Sequence, residues 1–133
     1  MHSRALSPVI IGLWMGLSVG SGAAQTIVPA QKRITSFSDV FSLRVRPGNT
    51  ERRAVDMVVR VYDAKLRLVR ARVTPRRFRL GGSRFRSVLV TVPFEGKRKR
   101  TILVCAERAK GKGAGRGFKI RTRVCGRYSA RRL

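Results

Sequence analysis

The chain has 133 residues, and its 31 Lys and Arg outnumber its six Asp and Glu, for a formal net charge of +25. This length suits one domain with one hydrophobic core and leaves no room for a second of similar size. Disorder is the usual alternative for so charged a chain. It is excluded because hydrophobic residues make up 43% of the sequence and stand in regularly spaced groups, whereas disordered segments combine charge with low hydrophobicity.

Residues 1–24 predict a cleaved secretory signal peptide. His2 and Arg4 precede an apolar stretch over residues 9–19, and small residues at 22–24 supply a cleavage site. The apolar stretch is shorter than the about 20 residues that a membrane span needs, which favours cleavage over an uncleaved membrane anchor, the alternative left open. We therefore expect a periplasmic or secreted protein whose residues 25–38 form a linker or a disordered N-terminus.

Residues 39–126 predict an all-β domain. Apolar and polar residues alternate with a period of two in short runs separated by turn residues. About seven such strands match a single immunoglobulin-like antiparallel β-sandwich, with a small barrel as the alternative, and a phase change in the third strand suggests a bulge. Residues 127–133 are expected to form a basic C-terminal tail. The predicted strands lie at residues 41–46, 55–61, 66–73, 78–80, 88–92, 102–106 and 118–124.

The two cysteines, Cys105 and Cys125, are the only ones in the chain. Disulfides persist outside the cytoplasm, so we predict a bond between them, across the sixth and seventh strands and on the outer side of the sheet. This register sets Glu107 opposite Arg123, an oppositely charged cross-strand pair. Two free thiols are the alternative, and no Cys-x-x-Cys spacing supports a redox role.

Catalysis and metal binding are disfavoured by the residue inventory. The only histidine is His2, so the mature chain lacks the base of Ser-His and Cys-His nucleophile pairs and the commonest metal ligand. The six acids are scattered among Arg and Lys, which favours charge pairing. The Gly-rich stretch 111–117 lacks the ending of a phosphate loop and predicts a hairpin loop. We expect no catalytic residue, no metal and no cofactor.

Three basic groups could contact anions electrostatically, without sequence-specific readout. An exported protein does not meet cytosolic nucleic acid. Lipopolysaccharide, anionic lipid, acidic polysaccharide, extracellular nucleic acid and acidic proteins are therefore the candidate anions. The alternative is that these basic side chains bind nothing and only keep the protein soluble, although the net charge exceeds what solubility requires. The groups are Arg76, Arg77, Arg79, Arg84 and Arg86; Lys97, Arg98, Lys99 and Arg100; and Arg127, Arg131 and Arg132.

The stretch Arg53–Glu107 resembles the N-terminal immunoglobulin-like domain of bacterial periplasmic pilus chaperones. The resemblance is carried by the run Pro75–Gly82, with the sequence Pro-Arg-Arg-Phe-Arg-Leu-Gly-Gly, and by the following strand Arg86–Val90. In that family, a similar Pro-x-x-Phe-x-Leu stretch and a turn lead into a strand beginning with Arg. The resemblance implies a protein that completes an unfinished fibre subunit by β-strand addition. The second domain of those chaperones is expected to be absent here.

Two functions fit these observations. The first is an exported, nonenzymatic binding module that assists or regulates assembly of a surface fibre or envelope structure, through β-edge pairing and Arg contacts with a protein partner such as a fibre subunit. The alternative is a cationic envelope-binding protein for lipopolysaccharide, anionic lipid or extracellular nucleic acid. The residues identify neither the partner nor the oligomeric state. The possible edge strand carries alternating residues, which would equally suit the protein's own last strand: Phe118, Ile120, Thr122 and Val124.

Overall fold

The computed structural model describes residues 25–109 and 123–133. Within these ranges the secondary structure consists of nine strands, and no helical segment there has the length and apolarity to span a membrane. The predicted leader and the Gly-rich loop lie outside the described residues. The strands are β1 Gln25–Val28, β2 Gln31–Ser36, β3 Val40–Asn49, β4 Val55–Tyr62, β5 Arg72–Thr74, β6 Arg77–Leu80, β7 Val88–Pro93, β8 Lys99–Arg108 and β9 Arg123–Arg132.

The strands form two sheets that pack as a sandwich. One sheet has four strands in the order β1-β3-β7-β5, and the other has five in the order β2-β9-β8-β4-β6. The pairs are antiparallel except β2 with β9, which run parallel. The predicted all-β, immunoglobulin-like sandwich is confirmed, with one parallel pair added to it.

Alternation along the strands builds the core. Phe41, Val45, Val90 and Val104 point between the sheets and are fully or almost fully buried. The ring of Phe41 lies 4.9 Å from that of Phe94, centroid to centroid. Because burying each such side chain contributes about 1.5–3 kcal/mol, the shared interior of the two sheets is the main source of the domain's stability.

The expectation of a linker over residues 25–38 is wrong, because this segment forms β1 and β2. β1 pairs with β3 in the four-stranded sheet, and β2 pairs with β9 in the other. The chain crosses between them at the cis peptide bond Val28-Pro29. Ile27 is buried in the core and Ile34 packs against it, so these two side chains hold the N-terminal segment on the sandwich.

The predicted third strand is wrong over most of residues 66–73. Leu66 has a φ of 60° in a turn where the Asp63 carboxylate accepts backbone hydrogen bonds from Lys65 and Arg67, both 2.9 Å. Regular pairing begins only at Arg72, in β5, which lies in the other sheet from β4. The phase change read as a bulge is therefore the crossing of the chain between sheets.

The expectation of a C-terminal tail over residues 127–133 is also wrong. β9 continues to Arg132 because β2 and β8 flank it from Arg127 onward, and because Tyr128 and Ala130 are buried. The domain therefore includes the residues assigned to the tail, and the basic side chains there stand on a rigid sheet.

Candidate functional site

The outer face of the five-stranded sheet carries the disulfide. Cys105 and Cys125 lie opposite each other on β8 and β9 and are bonded, with 4.1 Å between their Cα atoms. Glu107 lies opposite Arg123, so the predicted bond and its register are confirmed. Although the bond is on the outer side, Cys105 is fully buried under neighbouring side chains.

Beside the disulfide, Glu107 is only 4% exposed. The Tyr62 hydroxyl donates a 2.6 Å hydrogen bond to one carboxylate oxygen, and the Arg60 guanidinium donates one of 3.1 Å to the other. Arg123 Nε lies 2.8 Å from the first oxygen as an ion pair, without hydrogen-bond geometry. Burial of a charge is costly unless it is paired. These partners therefore allow Glu107 to sit inside, where it ties β4, β8 and β9 together.

The environment of Tyr62 follows from this arrangement. Its pKa is raised from the usual 10.0, first by burial and then by the hydrogen bond to Glu107. The Arg123 guanidinium carbon lies 4.8 Å from the centre of its ring, a cation–π distance. Tyr62 and Arg60 were not anticipated as partners of Glu107. The sequence feature that could have indicated them is the alternation of β4, which places Arg60 and Tyr62 on the same outer face as Glu107.

The side-chain carboxylates of all six Asp and Glu residues are paired with arginine, at distances of 2.7–3.7 Å. No group of three metal-ligating side chains occurs in residues 25–109 and 123–133. The acids are thus used for internal ion pairs, and most cations of the described residues have no carboxylate within salt-bridge distance. The pairs are Asp39 with Arg132, Glu51 with Arg108, Asp56 with Arg79, Asp63 with Arg67, Glu95 with Arg100, and Glu107 with Arg60 and Arg123.

The first predicted basic group is partly engaged within the protein. The Arg76 guanidinium donates a 3.1 Å hydrogen bond to the Ala71 carbonyl oxygen. Arg79 pairs with Asp56, and the Arg86 guanidinium lies 5.4 Å from the centre of the Phe78 ring. Of this group, only Arg77 and Arg84 show no such side-chain contact.

The second and third predicted basic groups are brought together by the sheet. Lys99 on β8 lies opposite Arg131 on β9, and the Arg132 amide donates a 2.8 Å hydrogen bond to the Arg98 carbonyl oxygen. Arg100 is separate, since it bonds to the Pro93 carbonyl oxygen and pairs with Glu95. The two groups are far apart in the sequence, so sequence analysis did not predict that they lie next to each other.

β2 adds Arg33 to this surface. Arg33 lies beside Ser129 in the parallel register, and Ser129 lies opposite Thr101 on β8, with 3.4 Å between the hydroxyl oxygens. Two shallow grooves of about 410 and 400 Å³ open here, and Arg33 and Ser129 line both. We call this surface the basic face; its members are Arg33, Thr35, Lys99, Thr101, Arg127, Ser129 and Arg131.

The predicted edge strand lies mostly outside the described residues, which include only Val124 of its four positions. Val124 belongs to the first part of β9, Arg123–Gly126. This part pairs with β8 on one side, whereas pairing with β2 begins only at Arg127. Within the described part of the chain, the other side of Arg123–Gly126 therefore has no strand paired with it.

Comparisons with known proteins support the fold. No family model matches the chain, and no curated protein matches its sequence. Among solved structures, it is similar to that of the Salmonella enterica SafA pilin in complex with the SafB chaperone, at a TM-score of 0.61 and 16% identity, over 81% of this chain and 54% of the other. The E. coli chaperone DraB gives a TM-score of 0.63 at 15% identity, over 81% and 54%.

A single domain of a human protein is similar to almost the whole of this chain. The PapD-like domain 7 of human CEP192 matches at a TM-score of 0.56 and 12% identity, over 98% of this chain and 97% of the other. The chain spans about half the length of the bacterial chaperones that it matches. The resemblance to the immunoglobulin-like fold of pilus chaperones, first indicated by the run Pro75–Gly82, is therefore confirmed at the level of the fold.

Proposed function

We propose that this protein is an exported, nonenzymatic, chaperone-like module that assists or regulates assembly of a surface fibre by binding a fibre subunit. Two of the similar structures support the class of partner. One is a pilin in complex with a chaperone, and another is a complex of a chaperone with a tip adhesin of CFA/I fimbriae. The cystine Cys105–Cys125 supports an exported protein, because disulfides persist outside the cytoplasm.

The observation that carries the proposal is the unpaired side of Arg123–Gly126 at the start of β9. A strand whose amide and carbonyl groups are free on one side can pair with a strand of another chain. Immediately before it, Phe118, Ile120 and Thr122 continue the alternation, so the apolar side chains of Phe118 and Ile120 would fill the interior of an incomplete partner. Pairing along this edge would extend the five-stranded sheet into the subunit.

The test is a pull-down from an envelope extract of the native host with the tagged full chain, at low salt and at about 0.5 M salt. Edge pairing survives this salt in part, whereas a complex held by phosphate contacts weakens by orders of magnitude. Bound proteins are identified by mass spectrometry. We expect a fibre subunit to be retained at high salt; recovery of only nucleic acid or lipid, all of it released by salt, would refute the proposal.

Two matched double variants distinguish edge pairing from nonspecific binding. Phe118→Ser/Ile120→Ser removes the apolar side chains of the alternation, and Lys119→Ser/Arg121→Ser changes the intervening positions. We expect the first double variant to lose the subunit and the second to keep it at high salt. Equal losses from both variants would contradict pairing through the apolar positions.

A further inference from the structure

We propose that the basic face, together with Phe37 and Leu133 at its rim, is a docking surface for an anionic lipid bilayer. This inference goes beyond the proposed function, since it concerns a different surface from the start of β9. It rests on three observations. The cations are regularly placed, none of them forms an ion pair with a carboxylate within the described residues, and two exposed apolar residues lie at one end of the face.

The cations are held in rows by the backbone of β2, β9 and β8. Arg33, Ser129 and Thr101 form one row, and Thr35, Arg131 and Lys99 form the next. Neighbouring strands lie about 4.8 Å apart, and alternate residues along a strand about 6.6 Å apart. Cations and hydroxyl groups are therefore spread over three neighbouring strands, which suits a surface of headgroups better than a single small ligand.

The cations of the basic face are not neutralised within the protein. The ion pairs of the described residues involve seven other arginines and none of Arg33, Lys99, Arg127 and Arg131. Guanidinium groups bind phosphate oxygens in bidentate fashion, and the hydroxyl of Ser129 adds a donor between them. Each basic residue near an anionic leaflet contributes favourably to binding, so the four cations together favour docking through the basic face.

An apolar pair follows the last row. Phe37 is 85% exposed and Leu133 is 62% exposed. They directly follow β2 and β9, and the Leu133 amide donates a 2.9 Å hydrogen bond to the Ser36 carbonyl oxygen, which holds the two residues side by side. Cations beside protruding apolar side chains are the pattern of proteins that lie in the membrane interface. Nucleic acid is less favoured because Phe37, the exposed aromatic ring of this surface, lies at the rim beside Leu133 and not between the cations, where bases would stack on it.

Insertion of Phe37 is tested with a tryptophan reporter. The only tryptophan of the chain is Trp14, so Phe37→Trp in a Trp14→Phe background places a single indole at the rim. The probes are phosphatidylcholine vesicles with and without phosphatidylglycerol, some with acyl chains brominated. We expect a blue shift and quenching by brominated lipid only with phosphatidylglycerol. An unshifted, unquenched spectrum with anionic vesicles overturns the proposal.

The contribution of the basic face is tested by vesicle co-sedimentation with matched charge changes. Arg33→Gln/Arg131→Gln removes two cations from the basic face. Arg44→Gln/Arg72→Gln removes two exposed cations from the outer face of the four-stranded sheet. We expect the first to weaken partitioning roughly 30-fold and the second by less than about threefold, because charges beyond a Debye length are screened. Equal effects would show binding by net charge alone and overturn the proposal.

Discussion

The hydroxyl of Tyr128 donates a hydrogen bond to the carbonyl oxygen of Pro29, which fastens β9 to the point where the N-terminal chain crosses between the sheets. The next residue, Ala30, accepts a 2.8 Å hydrogen bond from the Arg127 amide. These two bonds begin the parallel pairing of β2 with β9. They therefore position Arg33 beside Ser129, and with it the β2 side of the basic face.

Tyr128 makes stability depend on pH in the alkaline range. Burial raises its pKa from 10.0 to about 12. Below pH 10 the phenol is protonated in both states; between 10 and 12 the unfolded chain loses the proton and the folded protein keeps it. The free energy of unfolding should therefore fall by on the order of 2 kcal/mol across this window. Urea unfolding at several pH values measures this, and Tyr128→Phe should remove the part of the decrease due to Tyr128.

Gly126 is required by the ring of Tyr128. A Cβ at this position would lie 2.2 Å from the Tyr128 hydroxyl oxygen and 2.6 Å from the ring carbon that bears it. Since that ring is fully buried, Gly126→Ala should lower the free energy of unfolding by about 1–3 kcal/mol through overpacking. Gly81→Ala is the control, because its Cβ would meet only the flexible Arg84 side chain, at 3.3 Å. Equal effects of the two variants in urea unfolding would contradict the clash.

The disulfide should contribute about 3 kcal/mol to the free energy of unfolding, as expected for closing a loop of this length; its cysteines are 20 residues apart. Cys105→Ala/Cys125→Ala should lower the guanidinium midpoint accordingly. Reductant should do the same to the wild type while leaving the double variant unchanged. An unchanged midpoint of the reduced wild type would argue against this contribution.

Glu107 should be the most sensitive of the six carboxylates. Glu107→Gln keeps the volume but leaves Arg60 and Arg123 without their charged partner, and should cost about 2–4 kcal/mol of unfolding free energy. Asp56→Asn is the comparison, since its exposed carboxylate lies 3.7 Å from Arg79; an exposed pair contributes under about 1 kcal/mol. Chemical denaturation of both variants measures the difference, and a smaller effect at Glu107 would contradict the role of its burial.

The sequence predicts best those strands that have one face buried in the core and the other exposed to solvent. β7 and residues 40–47 of β3 alternate between buried and more exposed positions. Phe41 and Val90 face the core while Arg44 and Thr91 face outward, so the sequence period predicted both the strands and their buried faces. The segment of β1 and β2 has too few apolar residues for that signal. Its place depends on pairing with β3 and β9, which is a tertiary interaction.

The candidate site shows the same division. The disulfide register predicted Glu107 opposite Arg123 because cross-strand neighbours follow from one known pair. The partnership of Glu107 with Tyr62 required knowing that β4 lies beside β8. The basic face required knowing that β2 joins β9, which brings Arg33 to residues about a hundred positions away in the chain.

The position of the cystine has a mechanical consequence. It joins Cys105 on β8 to Cys125 on β9, so residues 105–125 form a covalently closed ring. The two ends of this ring belong to paired strands of the five-stranded sheet. A force that pulls on residues 106–124 reaches the bond between Cys105 and Cys125 first. This covalent bond must break before β8 and β9 can separate beyond the two cysteines. Such a force is therefore carried by the cystine and leaves the pairing of β8 with β9 beyond it intact.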